Sequence, residues 1–171
     1  MSRPRHQARL ATVAFLRRGE EVLLMRHPAD GERFAGRWDG IGGHVEAGED
    51  LHEAARRELR EETGLDVPQL TLRGVIHESG MRGHHYVVFL FTGEGPPGEV
   101  RSPEGFELAW HAVDTLAALP LADDLHHWLA PLLEAREMLF MTERYDGGDG
   151  LLEVRVGLEK IYQRAPLELA P

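Results

Sequence analysis

Apolar positions fall in short β-prone runs broken by glycine and proline, with one long exception. Over residues 9–26 the runs ARLATVAFL and EVLLMR flank Arg17-Arg18-Gly19-Glu20, which predicts a hairpin with Gly19 in its turn. Residues 27–36, with Pro28, Gly31 and Gly36, read as a loop. WDGIGGHV at 38–45 is a glycine-rich strand and turn, where missing side chains let backbone approach a ligand closely. Two further strands are expected at 70–78 and 84–92, the second (within HHYVVFLF) buried. A loop rich in Gly, Pro and Glu covers 93–106, and the strand ELAWHAV follows it. Residues 125–138 read as a helix whose Trp128, Leu129, Leu132 and Leu133 face a core. MLFMTERY and LLEVRVGLE then flank residues 146–150, a loop suited to a hairpin. The tail from Arg164 is expected to fray. No internal repeat interrupts the pattern, so a single domain is expected over 1–171, with its core at about 9–160.

The exception is the stretch 43–65, GHVEAGEDLHEAARRELREETGL, which predicts a helix. Asp50 is its N-cap, Glu53 completes a capping box, and Gly64 followed by Pro68 closes it. Leu51, Ala54 and Ala55 form a small apolar stripe. Glu58 and Glu62 project from the middle of that stripe with Glu61 at its edge, while Glu53, Arg56, Arg57 and Arg60 take the watery side. An acidic helix face is ordinarily solvated, but carboxylates aimed inward are costly unless something positive is held there. Glutamates spaced i, i+3 and i+4 stand on adjacent turns, repel one another and call for a counter-ion. Oxygen donors without cysteine favour Mg²⁺, Mn²⁺ or Ca²⁺ over zinc.

Composition narrows the chemistry. The chain has 171 residues, 42% hydrophobic and 28% charged, as in an ordinary globular protein. It has no cysteine, which excludes disulfides and thiolate metal sites and fits a reducing cytoplasm. The net charge of −10 argues against a general nucleic-acid binder, yet bound divalent ions reverse the local sign of a phosphate site. The Arg-rich start before LATVAFL meets Arg17-Arg18 too soon for a signal peptide, and no apolar run is long enough to span a membrane. The ten histidines lack zinc-binding spacing, and the pairs His84-His85 and His126-His127 point in different directions, as surface or hydrogen-bonded groups do.

The stretch from Gly43 through Glu49 to Arg57-Glu58-Leu59-Arg60-Glu61-Glu62-Thr63-Gly64-Leu65 matches G-x5-E-x7-R-E-U-x-E-E-x-G-U, with U aliphatic, at every fixed position. In this it resembles the Nudix hydrolases. The resemblance implies an α/β (α+β) fold, the Nudix-type α/β/α sandwich with a mixed β-sheet. It also implies an Mg²⁺-dependent enzyme, with Mn²⁺ as alternative metal, that cleaves a nucleoside diphosphate linked to another group. On this mapping Glu58, Glu61 and Glu62 hold metal together with the Gly42 carbonyl. Arg57 and Glu49 form a supporting ion pair, and Glu58 or Glu62 is the general base. A further glutamate recruited from a later loop would be Glu104 or Glu107, each read singly as an ordinary loop carboxylate.

The flanks resemble the MutT-like branch that hydrolyses oxidised purine nucleoside triphosphates to a monophosphate and pyrophosphate. The resemblance spans about residues 10–160 and rests on FAGRWDGIGG, PLADDLHHW and YDGGDGLLEV. It implies Asp123 and Asp124 at the base edge, where they would accept from purine N–H groups, although on sequence they serve equally well as an N-cap pair. Thr12 and Arg26 would lie by the sugar or phosphates. Two positions depart: Asp39 stands where that branch has Asn, and Leu121-Ala122 where it has an aromatic. Asp39, as a substrate contact, would accept only, which shifts or broadens the base range. Other Nudix substrates (ADP-ribose, a dinucleoside polyphosphate, an RNA cap) stay open, as does a non-catalytic nucleotide sensor. The expected partner is a small nucleotide, with no membrane and no nucleic acid, and the protein is a monomer or homodimer.

Overall fold

The computed structural model describes residues 6–31, 34–157 and 159–164. The chain runs β1 (Arg9–Arg18), β2 (Glu21–Arg26), β3 (Trp38–Asp39), β4 (Ile41–His44), α1 (Leu51–Thr63), β5 (Leu70–Met81) and β6 (His84–Glu94). It continues through β7 (Glu107–Ala112), a 3₁₀ turn (Val113–Ala118), α2 (Leu125–Glu134), β8 (Leu139–Tyr145), β9 (Leu151–Val156) and β10 (Glu159–Gln163). The strands form one mixed sheet in the order β10-β9-β8-β5-β6-β1-β2-β3, with β4 added to β1 and β7 to β2. The β1–β6 and β5–β8 pairs are parallel.

Strand alternation distributes the core to both faces. Ala14 and Leu16 of β1 and Leu23 and Met25 of β2 pack with Ala55 and Leu59 of α1. Phe15, Val22 and Leu24 turn the other way and pack with Trp128, Leu129 and Leu132 of α2. A sheet covered by a helix on each face is the sandwich expected from the sequence. Among the described residues no helix is long and apolar enough to cross a membrane.

Four local expectations change. The first hairpin is paired only beside its turn, at Arg17–Val22 and Arg18–Glu21. Beyond that β1 and β2 separate, because β4 takes the edge of β1 from Ala11 to Ala14 while β3 and β7 take β2. The second helix stops at Glu134 rather than 138, since residues 135–138 must carry the chain into β8 alongside β5. The run LLEVRVGLE is not one strand: Gly157, at φ 58°, turns the chain back into β10. The buried stripe of α1 is Ala54, Ala55, Leu59 and Thr63. The tail at 165–171, expected to fray, lies outside the described residues.

Candidate active site

The site begins with a helix whose ends are both closed. Asp50 accepts from the backbone N–H groups of His52 and Glu53 at 2.8 and 2.9 Å, and Glu53 reaches back to the Asp50 N–H at 3.3 Å. Gly64 takes φ 74° and donates to the Arg60 carbonyl. Small Ala54 and Ala55 let α1 lie close on β4 and β1. This brings the glutamates against the glycine-rich strand.

Arg57 does not take the watery side expected of it. It folds back, with Nε and Nη2 donating to the two Glu49 oxygens at 3.0 and 3.1 Å. Nη2 also donates to the His44 carbonyl at 3.0 Å. Nη1 donates to Glu58 Oε1 at 2.8 Å and Glu61 Oε2 at 3.3 Å. The paired guanidinium holds the Glu49 carboxyl below the usual carboxylate range. Glu49, Glu58 and Glu61 therefore share one cation, which fixes where the first two can point.

Glu62 lies deeper. The Gly42 N–H donates to its Oε2 at 3.1 Å. Burial, then the negative charge of Glu58, raises its pKa to about 7, with Asp39 and Glu61 adding to the shift. The Gly42 N–H is thus in contact with the glutamate set. Both glycines are required by space: a Cβ at Gly42 would run into the Thr12 carbonyl, and one at Gly43 into the Glu58 carboxylate. Among the described residues no three carboxylates or histidines are gathered closely enough to share an ion as they stand. Glu58, Glu61 and Glu62 nevertheless fit a hard divalent cation, because their donors are all oxygen and their charge exceeds what Arg57 offsets.

Where β1 and β2 separate, a cleft opens beside Glu62. It holds about 900 Å³ of space, its open mouth included. Thr12, Asp39, Gly42, Gly43, Glu62 and Asp124 line it. Sequence reasoning missed several more lining groups: His27, Glu78, Phe106 and Trp128. His27 stacks edge-on between Phe34 and Phe106, its Nε2 3.8 Å from Asp39 Oδ2. The Thr12 hydroxyl is fully buried and finds no hydrogen-bond partner among the described residues.

Behind the cleft wall, Glu143 is fully buried. Trp128 Nε1 donates to its Oε1 at 2.7 Å and the Tyr145 hydroxyl to its Oε2 at 3.2 Å. Burial, then Asp124 and Glu78, pushes this carboxyl well above the usual range. A readable signal for Glu78 and Glu143 existed, since each occupies an inward position of an alternating strand, after Ile76 and Met141 respectively.

Other predicted residues are not brought in. Arg26 points away from the cleft, donating to the Gly36 carbonyl at 2.9 Å and pairing with Glu107, while its chain neighbours Met25 and His27 line the cleft. Asp123 turns outward to Arg37 at 2.6 Å. Asp124, by contrast, does line the cleft; it is buried and makes no side-chain cap to α2. Glu104 and Glu107 are exposed, and neither is among the carboxylates acting on Glu62.

Comparison with known proteins identifies the family. A model of the NUDIX domain matches residues 7–135. The oxidized purine nucleoside triphosphate hydrolase of Mus musculus is 30% identical over 138 residues, 76% of this chain and 83% of the mouse protein. The NAD-capped RNA hydrolase NudC of Stutzerimonas stutzeri is 36% identical over 140 residues, and the chain spans only 48% of that protein's length. The crystal structure of the mutator MutT protein from Bacillus halodurans superposes with a TM-score of 0.75 at 30% identity, covering 88% of this chain and 99% of that one.

Proposed function

The chain belongs to the Nudix family of hydrolases, which act on phosphoric anhydride bonds, and on that premise we propose that it cleaves a nucleoside triphosphate to a nucleoside monophosphate and pyrophosphate. The carrying observation is the cleft beside Glu62, whose lining joins aromatic side chains (Phe34, Phe106 and Trp128) for a base to carboxylates for metal-bound phosphates. The name of the mouse relative, which covers most of both chains, supports an oxidised purine as substrate. This is a sanitation role in the cytoplasm, for a protein acting as monomer or homodimer.

Glu58, Glu61 and Glu62 would hold Mg²⁺ or Mn²⁺, which supplies the positive charge that phosphoryl transfer to water demands. Arg57 and Glu49 keep Glu58 and Glu61 on the substrate side of α1. Glu62 faces the cleft whereas Glu58 is engaged by Arg57, so Glu62 is better placed to accept the proton of attacking water. The Thr12 hydroxyl has donor and acceptor capacity to spend on the sugar.

A second reading, cleavage of an NAD-type dinucleotide or cap, is favoured by the identity with NudC. Product analysis with Mg²⁺ over canonical and 8-oxo purine triphosphates, pyrimidine triphosphates, ADP-ribose and NAD separates the two. Pyrophosphate release from a purine triphosphate, lost in Glu62→Gln, is expected. Turnover of NAD or ADP-ribose alone would replace the triphosphate reading, and none at all with retained binding would make the domain a sensor.

A further inference from the structure

Three histidines from different parts of the chain meet near the turn of the β5–β6 hairpin. His77 of β5 pairs with Val87 of β6 and Ser79 with His85, so His77 and His85 are diagonal neighbours on one face. His6, just ahead of β1, rests against both: its ring centroid is 5.3 Å from that of His77 and 4.4 Å from that of His85. Tyr86 lines the cleft, and strand alternation turns its neighbour His85 to the other side of the sheet. We propose that His6, His77 and His85 form a metal site distinct from the α1 glutamates, for a borderline divalent ion such as Zn²⁺, which fastens the segment ahead of β1 to the β5–β6 hairpin.

Three observations carry this. His6 Nε2 and His77 Nε2 are 3.2 Å apart. Two nitrogens on one tetrahedral Zn²⁺ stand about 3.3 Å apart, given Zn–N bonds of about 2.0–2.1 Å. The pair thus already has the separation of two ligands, across 71 residues of chain that no local zinc pattern would reveal. Next, Ser79 Oγ lies 2.9 Å from His85 Nδ1. Such a bond orients the ring of a metal-ligating histidine while its other nitrogen binds. Last, imidazole nitrogens suit Zn²⁺, Cu²⁺ or Ni²⁺, whereas the oxygen donors of α1 suit Mg²⁺, so the two sites select different ions. His6 and His77 are exposed and His85 half-buried, with His6 and His85 lining an open pocket, so an ion reaches them from solvent. As the rings stand, the three do not yet share one ion. Strand pairing holds His77 and His85, so closing the site falls to His6, the one ring outside a strand.

The test uses the full chain without an added histidine tag, in excess Mg²⁺ to occupy the glutamates. Zn²⁺ binding is measured by calorimetry for wild type, His6→Ala, His77→Ala, His85→Ala and, as a control on α2, His126→Ala, with thermal melts to confirm folding. Wild type is expected to bind one Zn²⁺, each of the three substitutions to weaken it by about tenfold or more, and His126→Ala to change nothing. Zn²⁺ should also slow trypsin cleavage after the exposed Arg9 in wild type and not in His6→Ala. No Zn²⁺ bound, affinity that any of the three substitutions leaves intact, or equal loss in His126→Ala would overturn the site. Binding with unchanged cleavage at Arg9 would overturn the fastening. None of these readouts depends on turnover, so the outcome is independent of the proposed reaction.

Discussion

Arg57 meets Glu49 through two parallel hydrogen bonds, Nε to Oε1 at 3.0 Å and Nη2 to Oε2 at 3.1 Å. This fork leaves Nη1 free to reach Glu58 and Glu61. Lysine keeps the charge but not the fork. Arg57→Lys is therefore expected to fold normally and to lose roughly 10–100-fold in activity or metal affinity, as removal of groups that orient metal ligands typically does. A titration of Mg²⁺ against rate checks it; an unchanged midpoint and kcat would show the fork to be idle.

Glu62 couples stability to pH. Its pKa in the fold, about 7, lies above its ordinary 4.5, so the fold holds a proton that the unfolded chain has lost between those values. Its contribution to metal-free stability is thus most favourable below 4.5 and declines as pH rises through 7. Removing the charge should help: Glu62→Gln in EDTA is expected to be more stable than wild type at alkaline pH by on the order of 1–3 kcal/mol, converging toward acid pH. Adding Mg²⁺ should raise the melting temperature of wild type more than that of the variant. Denaturant melts across pH, with and without Mg²⁺, read both effects.

Adjacent glycines should fail differently. An added methyl at Gly42 meets the backbone of Thr12, which cannot move without breaking the β1–β4 pairing. At Gly43 the nearest atoms are those of the Glu58 carboxylate, a side-chain end that can swing aside by giving up its bond to Arg57. Gly42→Ala is expected to lower the melting temperature markedly, and Gly43→Ala to stay folded but lose activity. Circular dichroism melts beside activity assays distinguish them, and equal melting temperatures would refute the distinction.

Trp128→Phe removes the donor to Glu143 Oε1 while keeping an aromatic wall. Leaving a buried acceptor unpaired costs about 1–3 kcal/mol. Adding Glu143→Gln, which changes what that position demands, should recover part of the loss. A double-mutant cycle by urea denaturation measures the coupling, and additive effects would mean that the bond contributes nothing to stability.

Inward carboxylates were legible on α1 and overlooked on the strands. On the helix, Glu58 and Glu62 stood out against capping residues and a clear period. The same logic at period two applies to Glu78 after Ile76 and to Glu143 after Met141, but strand runs of mixed polarity hid it. Arg57 shows the opposite error: a helical wheel places its Cα, while a long side chain goes where its partners are, and Glu49 lies in the preceding loop.

What the sequence determined alone is the glutamate-bearing helix α1: caps, box spacing and the inward glutamates all follow from local covalent geometry and a fixed helical period. Tertiary structure decided which groups meet the cleft. Glu78 and Asp124 come together, while Asp123 and Arg26 turn away, because β1 parts from β2 and β5 pairs with the distant β8. These pairings are set by burial of whole faces between residues far apart in the chain, and no local spacing encodes them.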